Sequence, residues 1–253
     1  MTYPRLRRFN LIMGTIHGLQ ALAIVAISTD FTKTITTQYL VYDQQTQGLV
    51  AKSRDLFSVN IAYGIAAFAI VSMLFHYLIA TKWQKSYEAG LAQGINRYRW
   101  YEYSISASIM IVLIAILSGI YDLGTLLLLF GLTAIMNLLG LVMELTNRTR
   151  KQVQWSSYWV GCLAGILPWV VIAIYFWGSA TAPDGAGGPP TFVYFIWASL
   201  FFFFNCFALN MVLQYKKIGK WKDYLYGERA YIWLSLIAKS ALLWQVFAGT
   251  LQP

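Results

Sequence analysis

The sequence predicts an all-α membrane protein: a bundle of seven transmembrane helices with a β-hairpin in the first extracellular loop. Three observations predict it. Of the 253 residues, 58% are hydrophobic and only 11% charged, against about a quarter charged in a soluble domain. The apolar residues gather into seven runs, each near or above the ~18–20 residues a helix needs to cross a ~30 Å hydrocarbon core. The basic residues fall almost entirely on one side of those runs. This pattern excludes a disordered chain, a disulfide scaffold and an ordinary cytosolic enzyme, and residues 1–253 read as a single membrane domain.

The first span covers roughly Leu11 to Ser28 and the second Leu56 to Ala80. The third runs from about Trp100 to Ile120, the fourth from Leu123 to Met143 and the fifth from Tyr158 to Trp177. Phe192 to Leu213 is the sixth and Ala230 to Leu251 the seventh. None alternates in the manner of a barrel strand, and backbone groups in lipid must be satisfied within their own segment, so the spans are helices. Arg5, Arg7 and Arg8 ahead of an apolar run imitate a signal peptide, but His17, Gln20 and the run's length predict a retained helix.

Between the first two spans lies the one long loop, Asp30 to Asp55. Thr34 to Tyr42 and Gly48 to Ala51 are strand-like, and polar Asp43 to Gln47 separates them, which predicts a hairpin lying over the bundle. The stretch Ala180 to Pro190 is rich in Gly and Pro; it lacks the lysine and flanking strand of a phosphate loop and reads as a turn. Gly161 and Gly165 have the spacing of a close helix contact. Cys162 and Cys206 sit inside apolar runs and read as small core hydrophobes, with neither a disulfide nor a metal site implied.

Lysine and arginine set the orientation. Fifteen of the nineteen lie before the first span, or between spans two and three, four and five, or six and seven. The other side holds only Lys33, Lys52 and Arg54, and the last of the nineteen is Lys239. The N-terminus is therefore expected in the cytoplasm and the C-terminus outside, in a multi-pass protein of the cell membrane. The net charge of +9 is explained by topology and anionic lipid, so no nucleic-acid partner is expected.

An ionisable group inside the hydrocarbon is costly and is a functional candidate by default. Lys239 lies about ten residues past Arg229, near mid-bilayer at ~1.5 Å per residue, too deep to snorkel easily. A buried lysine tends to lose its proton, and the neutral amine is the form that attacks a carbonyl to make a Schiff base. A structural ion pair, or the substrate charge of a transporter, explains the position equally well. Helical side chains lean toward their own N-terminus, here the cytoplasmic side, where the candidate acids are Glu102 and Glu144. Glu102 follows Arg99 by three residues and reads as a surface acid unless the third helix begins as early as Leu91, with the arginines snorkelling. Both histidines, His17 and His76, fall in the same half, and Ser235 lies one turn from Lys239 on its inner face.

At these residues the chain resembles a microbial rhodopsin, and in detail the heliorhodopsin family, over essentially its whole length. The strongest stretches are Arg99-Trp-Tyr-Glu-Tyr-Ser-Ile-Ser-Ala-Ser, Gly161-Cys-Leu-Ala-Gly-Ile-Leu-Pro-Trp and Phe203-Phe-Asn-Cys-Phe-Ala-Leu. To these are added the run from Gly219 to Ile232 and Ser235-Leu-Ile-Ala-Lys-Ser-Ala-Leu-Leu-Trp-Gln. The resemblance implies all-trans retinal held covalently on Lys239 as a protonated Schiff base, with Glu102 its counterion and Ser235 where pumps carry a second acid. It implies that His17 and His76 line a hydrated pocket, and that Tyr103, Ser106, Met136 and Phe204 lie against the pigment. Trp169 and Asn205 are weaker pocket positions. It also implies an inverted orientation, in agreement with the charge pattern, and a homodimer.

The expected function is light sensing with signalling through the cytoplasmic face to an unknown partner, because the outer half of the bundle is nearly free of ionisable groups. A light-driven proton or ion transporter on the same chromophore is the alternative, and a retinal-free transporter binding an anion at Lys239 is the third. The chain holds no nucleophile–base–acid set, metal-ligand cluster or nucleotide motif, so enzymatic activity is not expected.

Overall fold

The computed structural model describes residues 2–181 and 188–251. Seven of its helices are long and apolar enough to cross a membrane. They are α1 (Tyr3–Ile27), α2 (Ile61–Ala80), α4 (Arg97–Leu117), α5 (Leu123–Asn147), α6 (Ser156–Ala180), α7 (Thr191–Tyr215) and α8 (Tyr224–Val246). The short α3 (Gln84–Leu91) lies between the second and third spans. Helix α1 packs on α2, α2 on α4, α4 on α5, α5 on α6 and α7 on α8, and α8 returns to α1.

Polar side chains fix where the helices begin. Asn60, Asn96, Asp122 and Asp223 each accept a hydrogen bond from a backbone N–H of the first turn of α2, α4, α5 and α8, which satisfies donors a helix start leaves unpaired. These caps explain two boundary shifts from the sequence reading. The second span starts at Ile61 because residues up to Asn60 belong to the hairpin. The third does not reach Leu91: the chain turns at Gly94, whose φ of 70° favours glycine, and restarts at Asn96. The first helix begins eight residues before Leu11, at Tyr3, with Pro4 in its first turn, where a missing N–H costs no helical bond.

The expected hairpin is present and longer than its strand-like core. Strand β1 (Thr32–Asp43) pairs antiparallel with β2 (Gly48–Asn60), with a bulge beside Ile35. Ile35 is buried, and Thr36 donates its backbone N–H to the Tyr121 carbonyl at 2.9 Å, tying the hairpin to the α4–α5 connection. The predicted Ala180–Pro190 turn falls largely on residues 182–187 and lies outside the described residues.

The two halves of the bundle differ. Toward the hairpin the interior is apolar, built from Ile24, Ile65, Phe68, Ile111, Ile114 and Leu243 among others. Toward the opposite end buried polar groups gather instead, including Asn10, His76, Arg99, Glu102, Glu144 and Glu228. Of the two glycines, Gly165 marks a close contact, since a Cβ there would stand 2.3 Å from Met136 Sδ, whereas one on Gly161 would meet Leu139 only at an ordinary 3.5 Å. The two cysteines are free and half-buried, so they stand at the margin of the core on α6 and α7 rather than inside it.

Candidate functional site

Lys239 stands near the middle of α8 and is 3% exposed. Its Nζ donates to Glu102 Oε1 at 2.6 Å and to Ser235 Oγ, one turn earlier, at 2.8 Å. Glu102 comes from the second turn of α4 and is buried even though its helix starts late, because α2 covers it. Ser72 of α2 donates to the same Glu102 oxygen at 2.7 Å. A buried ion pair survives only where further hydrogen bonds satisfy its remaining atoms, and Ser72 and Ser235 do this from opposite sides.

His76 lies one turn beyond Ser72. Its Nδ1 is 2.8 Å from Asn10 Oδ1, while Asn10 Nδ2 donates to the Leu6 carbonyl. That orientation of the amide makes His76 Nδ1 the donor and leaves Nε2 as an acceptor in the neutral ring. The His17 ring stacks on it, centroids 5.7 Å apart, with both of its own nitrogens buried and unpartnered. A small cavity joins His76, Asn10, Glu102 and Ser235 to Arg99 and Glu228.

On its other side Lys239 opens onto an apolar cavity walled by Tyr103, Ser106, Met110, Met136, Phe204 and Phe207. Met136, Asn137, Phe204 and Phe207 also wall a second space between α6 and α7, closed by Trp100, Gly165 and Trp169. Trp169 meets Phe201 and Phe204 edge-on at 5.4 Å. Of the residues singled out from sequence, Tyr103, Ser106, Met136, Phe204 and Ser235 thus adjoin the lysine, and Trp169 closes the far space. Asn205 borders that space but is exposed, and its amide donates to the Phe201 carbonyl of its own helix.

The sequence reading missed a second charged cluster. Arg99 does not snorkel: it is buried and pairs with both Glu144 and Glu228. Asn96 donates its backbone N–H to Glu144 and its side chain to Glu228, and Tyr224 and Tyr87 add hydroxyls to Glu144 and Glu228. Burial pushes the Tyr87 hydroxyl, on α3 outside the spans, well above its ordinary range, and the Glu228 carboxylate adds to this. Glu144 is therefore committed to Arg99, away from Lys239. The missed Asn10 and Ser72 carried a signal: they precede His17 and His76 by seven and four residues, on the same helical faces.

A model of the Heliorhodopsin family matches residues 6–251. No curated protein matches the chain. The chain belongs to the heliorhodopsin family and is a retinal-binding, light-sensing membrane rhodopsin.

Proposed function

We propose that this heliorhodopsin senses light through all-trans retinal joined covalently to Lys239, with Glu102 as counterion, and that it signals rather than pumps. One observation carries the reading: a buried amine with one carboxylate at 2.6 Å opens onto an aromatic-walled apolar cavity. A long conjugated hydrocarbon fits that donor set. The cavity continues past Met136 and Phe204 toward Trp169, and the Ser106 hydroxyl on its wall is buried without a partner. Retinal supplies an aldehyde that condenses with the lysine amine, releasing water, and a polyene whose double-bond geometry changes when it absorbs a photon.

The chain's residues do the rest. Glu102 offsets the positive nitrogen at position 239, and Ser72 and Ser235 hold both partners in place. His76 Nε2 offers a proton acceptor in the cavity it shares with Glu102, and His17, stacked behind it, can share that proton. The apolar hairpin-side half keeps water away from the other face. Movement of the nitrogen away from Glu102 leaves a buried anion unpaired, and the bundle relaxes toward a second packing in which that anion is satisfied.

Sensing is favoured because, apart from Lys239 itself and His17, the hairpin-side halves of the described spanning helices contain no Asp, Glu, His, Lys or Arg. A proton has carboxylate stations, Glu102, Glu144 and Glu228, on the basic side of Lys239 only among the described residues of the spanning helices. We read the basic end as cytoplasmic in the cell membrane, from fifteen of nineteen basic residues, and as the face that meets a signalling partner. The exposed Leu40, Tyr42 and Leu49 of the hairpin suit the contact of a homodimer. Illuminated vesicles test signalling against transport: no sustained pH change or current is expected, and either one, abolished by a protonophore or by ion substitution, overturns the sensor reading.

A further inference from the structure

We propose that the groove between α7 and α8 at the basic end of the bundle is a binding site for one anionic phospholipid. Two helical stripes face each other there: Cys206, Leu209, Asn210 and Leu213 on α7, and Tyr226, Arg229, Ala230 and Trp233 on α8. Each follows the i, i+3, i+4, i+7 pattern of one helix face. Trp221, from the 3-10 turn Gly219–Lys222 that links the two helices, closes the end of the groove. Its indole N–H donates to Asn210 Oδ1 at 2.6 Å, and its ring meets Tyr226 edge-on at 4.9 Å. The wall is thus held in place by the protein's own bonds.

The chemistry of the groove runs from charged to apolar. Arg229 is exposed and stands 5.3 Å from the centre of the Tyr226 ring. Lys216, Lys217, Lys220 and Lys222 are exposed on the turn beside it. Of the two acids in this stretch, Glu228 is buried under Arg99, and Asp223 caps α8. The deeper walls are Leu209, Leu213 and Trp233, of which Leu209 is 55% and Trp233 46% exposed.

That sequence of surfaces fits a phosphate over an acyl chain. The Asn210 amide is already used, its nitrogen on the Gly227 carbonyl and its oxygen on Trp221. The groups left for a ligand are the Arg229 guanidinium, the Tyr226 hydroxyl and the weakly polar Cys206 thiol. A peptide backbone would bring donors and acceptors that the apolar walls cannot satisfy. A free phosphate would leave those walls unused. The site is independent of the pigment.

The test titrates the purified full-length protein in detergent with phosphatidylglycerol or phosphatidylcholine and counts bound lipid by native mass spectrometry. One phosphatidylglycerol is expected to bind more tightly than phosphatidylcholine. Arg229→Gln is expected to weaken phosphatidylglycerol about fivefold, the effect of one basic side chain near a headgroup, and to leave phosphatidylcholine unchanged. Leu209→Trp, at an exposed position, is expected to fill the groove and release both lipids. Glycerol phosphate is expected not to compete. Equal binding of the two lipids, an unchanged Arg229→Gln, or displacement by glycerol phosphate overturns the proposal. Thermal melting confirms that each variant is folded, and if Leu209→Trp is not, Arg229→Gln decides alone.

Discussion

Glu102→Gln removes one negative charge and almost no volume, so its effect isolates the electrostatic role of the carboxylate. The Lys239 nitrogen lies 2.6 Å from Glu102 Oε1. At an effective dielectric constant of about 20, Coulomb's law gives roughly 6 kcal/mol for that pair. One pH unit corresponds to about 1.36 kcal/mol, which sets a ceiling of roughly 5 units on the displacement of the pigment's titration. The amide oxygen of glutamine, the Ser72 and Ser235 hydroxyls and entering water recover part of this, leaving about 2–3 units. The assay follows the visible band of the retinal-loaded protein as pH is raised. In the variant the change from visible to ultraviolet absorption is expected to occur at lower pH by that amount, and the remaining visible band to lie to the red. Glu144→Gln, whose carboxylate is held by Arg99, serves as the control and is expected to move the transition by less than one unit. A midpoint in Glu102→Gln within one unit of the unmodified protein, with unchanged colour, refutes the counterion role and places the balancing charge elsewhere.

Four further outcomes are expected. Lys239→Ala forms no visible band with all-trans retinal, and a band of undiminished strength would rule out a covalent link at this residue. Arg99→Gln leaves two buried carboxylates facing each other and lowers stability by about 3–5 kcal/mol, measured by thermal or denaturant unfolding; a change under ~1 kcal/mol would show that water already screens the cluster. Gly140→Ala brings a Cβ to 2.3 Å from the Trp100 ring and costs about 1–3 kcal/mol through overpacking, read in the same unfolding assay. Tyr87 concerns alkaline pH. Its folded-state hydroxyl titrates above the ordinary 10.0, so above about pH 10 the unfolded chain loses this proton first and stability falls as pH rises. Tyr87→Phe, compared with the unmodified protein across that range, flattens the decline; an identical slope would show that the hydroxyl is not desolvated.

Most of the fold is legible because hydrocarbon permits few solutions. Twenty apolar residues without alternation can only be a spanning helix, and the lysine–arginine asymmetry orders the loops. Boundaries are less legible where a run's hydropathy continues past a cap. Leu56–Asn60 is apolar enough for a helix, yet it belongs to β2 because Asn60 accepts from the Tyr63 N–H and starts α2 there. Depth and side-chain lean narrow the partner of Lys239 to Glu102 or Glu144; the choice of Glu102 rests on the family resemblance, because the early helix start that would have buried it is not the one the structure has. Arg99 misleads for a physical reason: an arginine at a helix end normally reaches for water, and only the convergence of Glu144 from α5 and Glu228 from α8 makes burial favourable. That convergence depends on tertiary packing, and three separated residues in a sequence do not announce it.

The position of that cluster matters to any account of how the bundle responds to light. Arg99 and Glu102 are three residues apart on α4 and share a cavity with Glu228 of α8. The Arg99 guanidinium also lies 4.0 Å from the Tyr231 ring centre, and Tyr103, beside Glu102, donates to the Tyr231 carbonyl at 2.9 Å. A charge left unpaired at Glu102 therefore acts first on a buried arginine that ties α4 to both α5 and α8. Buried ion networks have discrete arrangements, because an intermediate state leaves an uncompensated charge in a low-dielectric interior. Beyond Lys239 the hairpin-side half is packed with apolar side chains and, among the described residues of the spanning helices, holds no carboxylate or further cation to re-pair. On the proposed function, a rearrangement is therefore expected toward the basic end, where α4, α5 and α8 meet the loops, and the asymmetry of the interior would give it that direction.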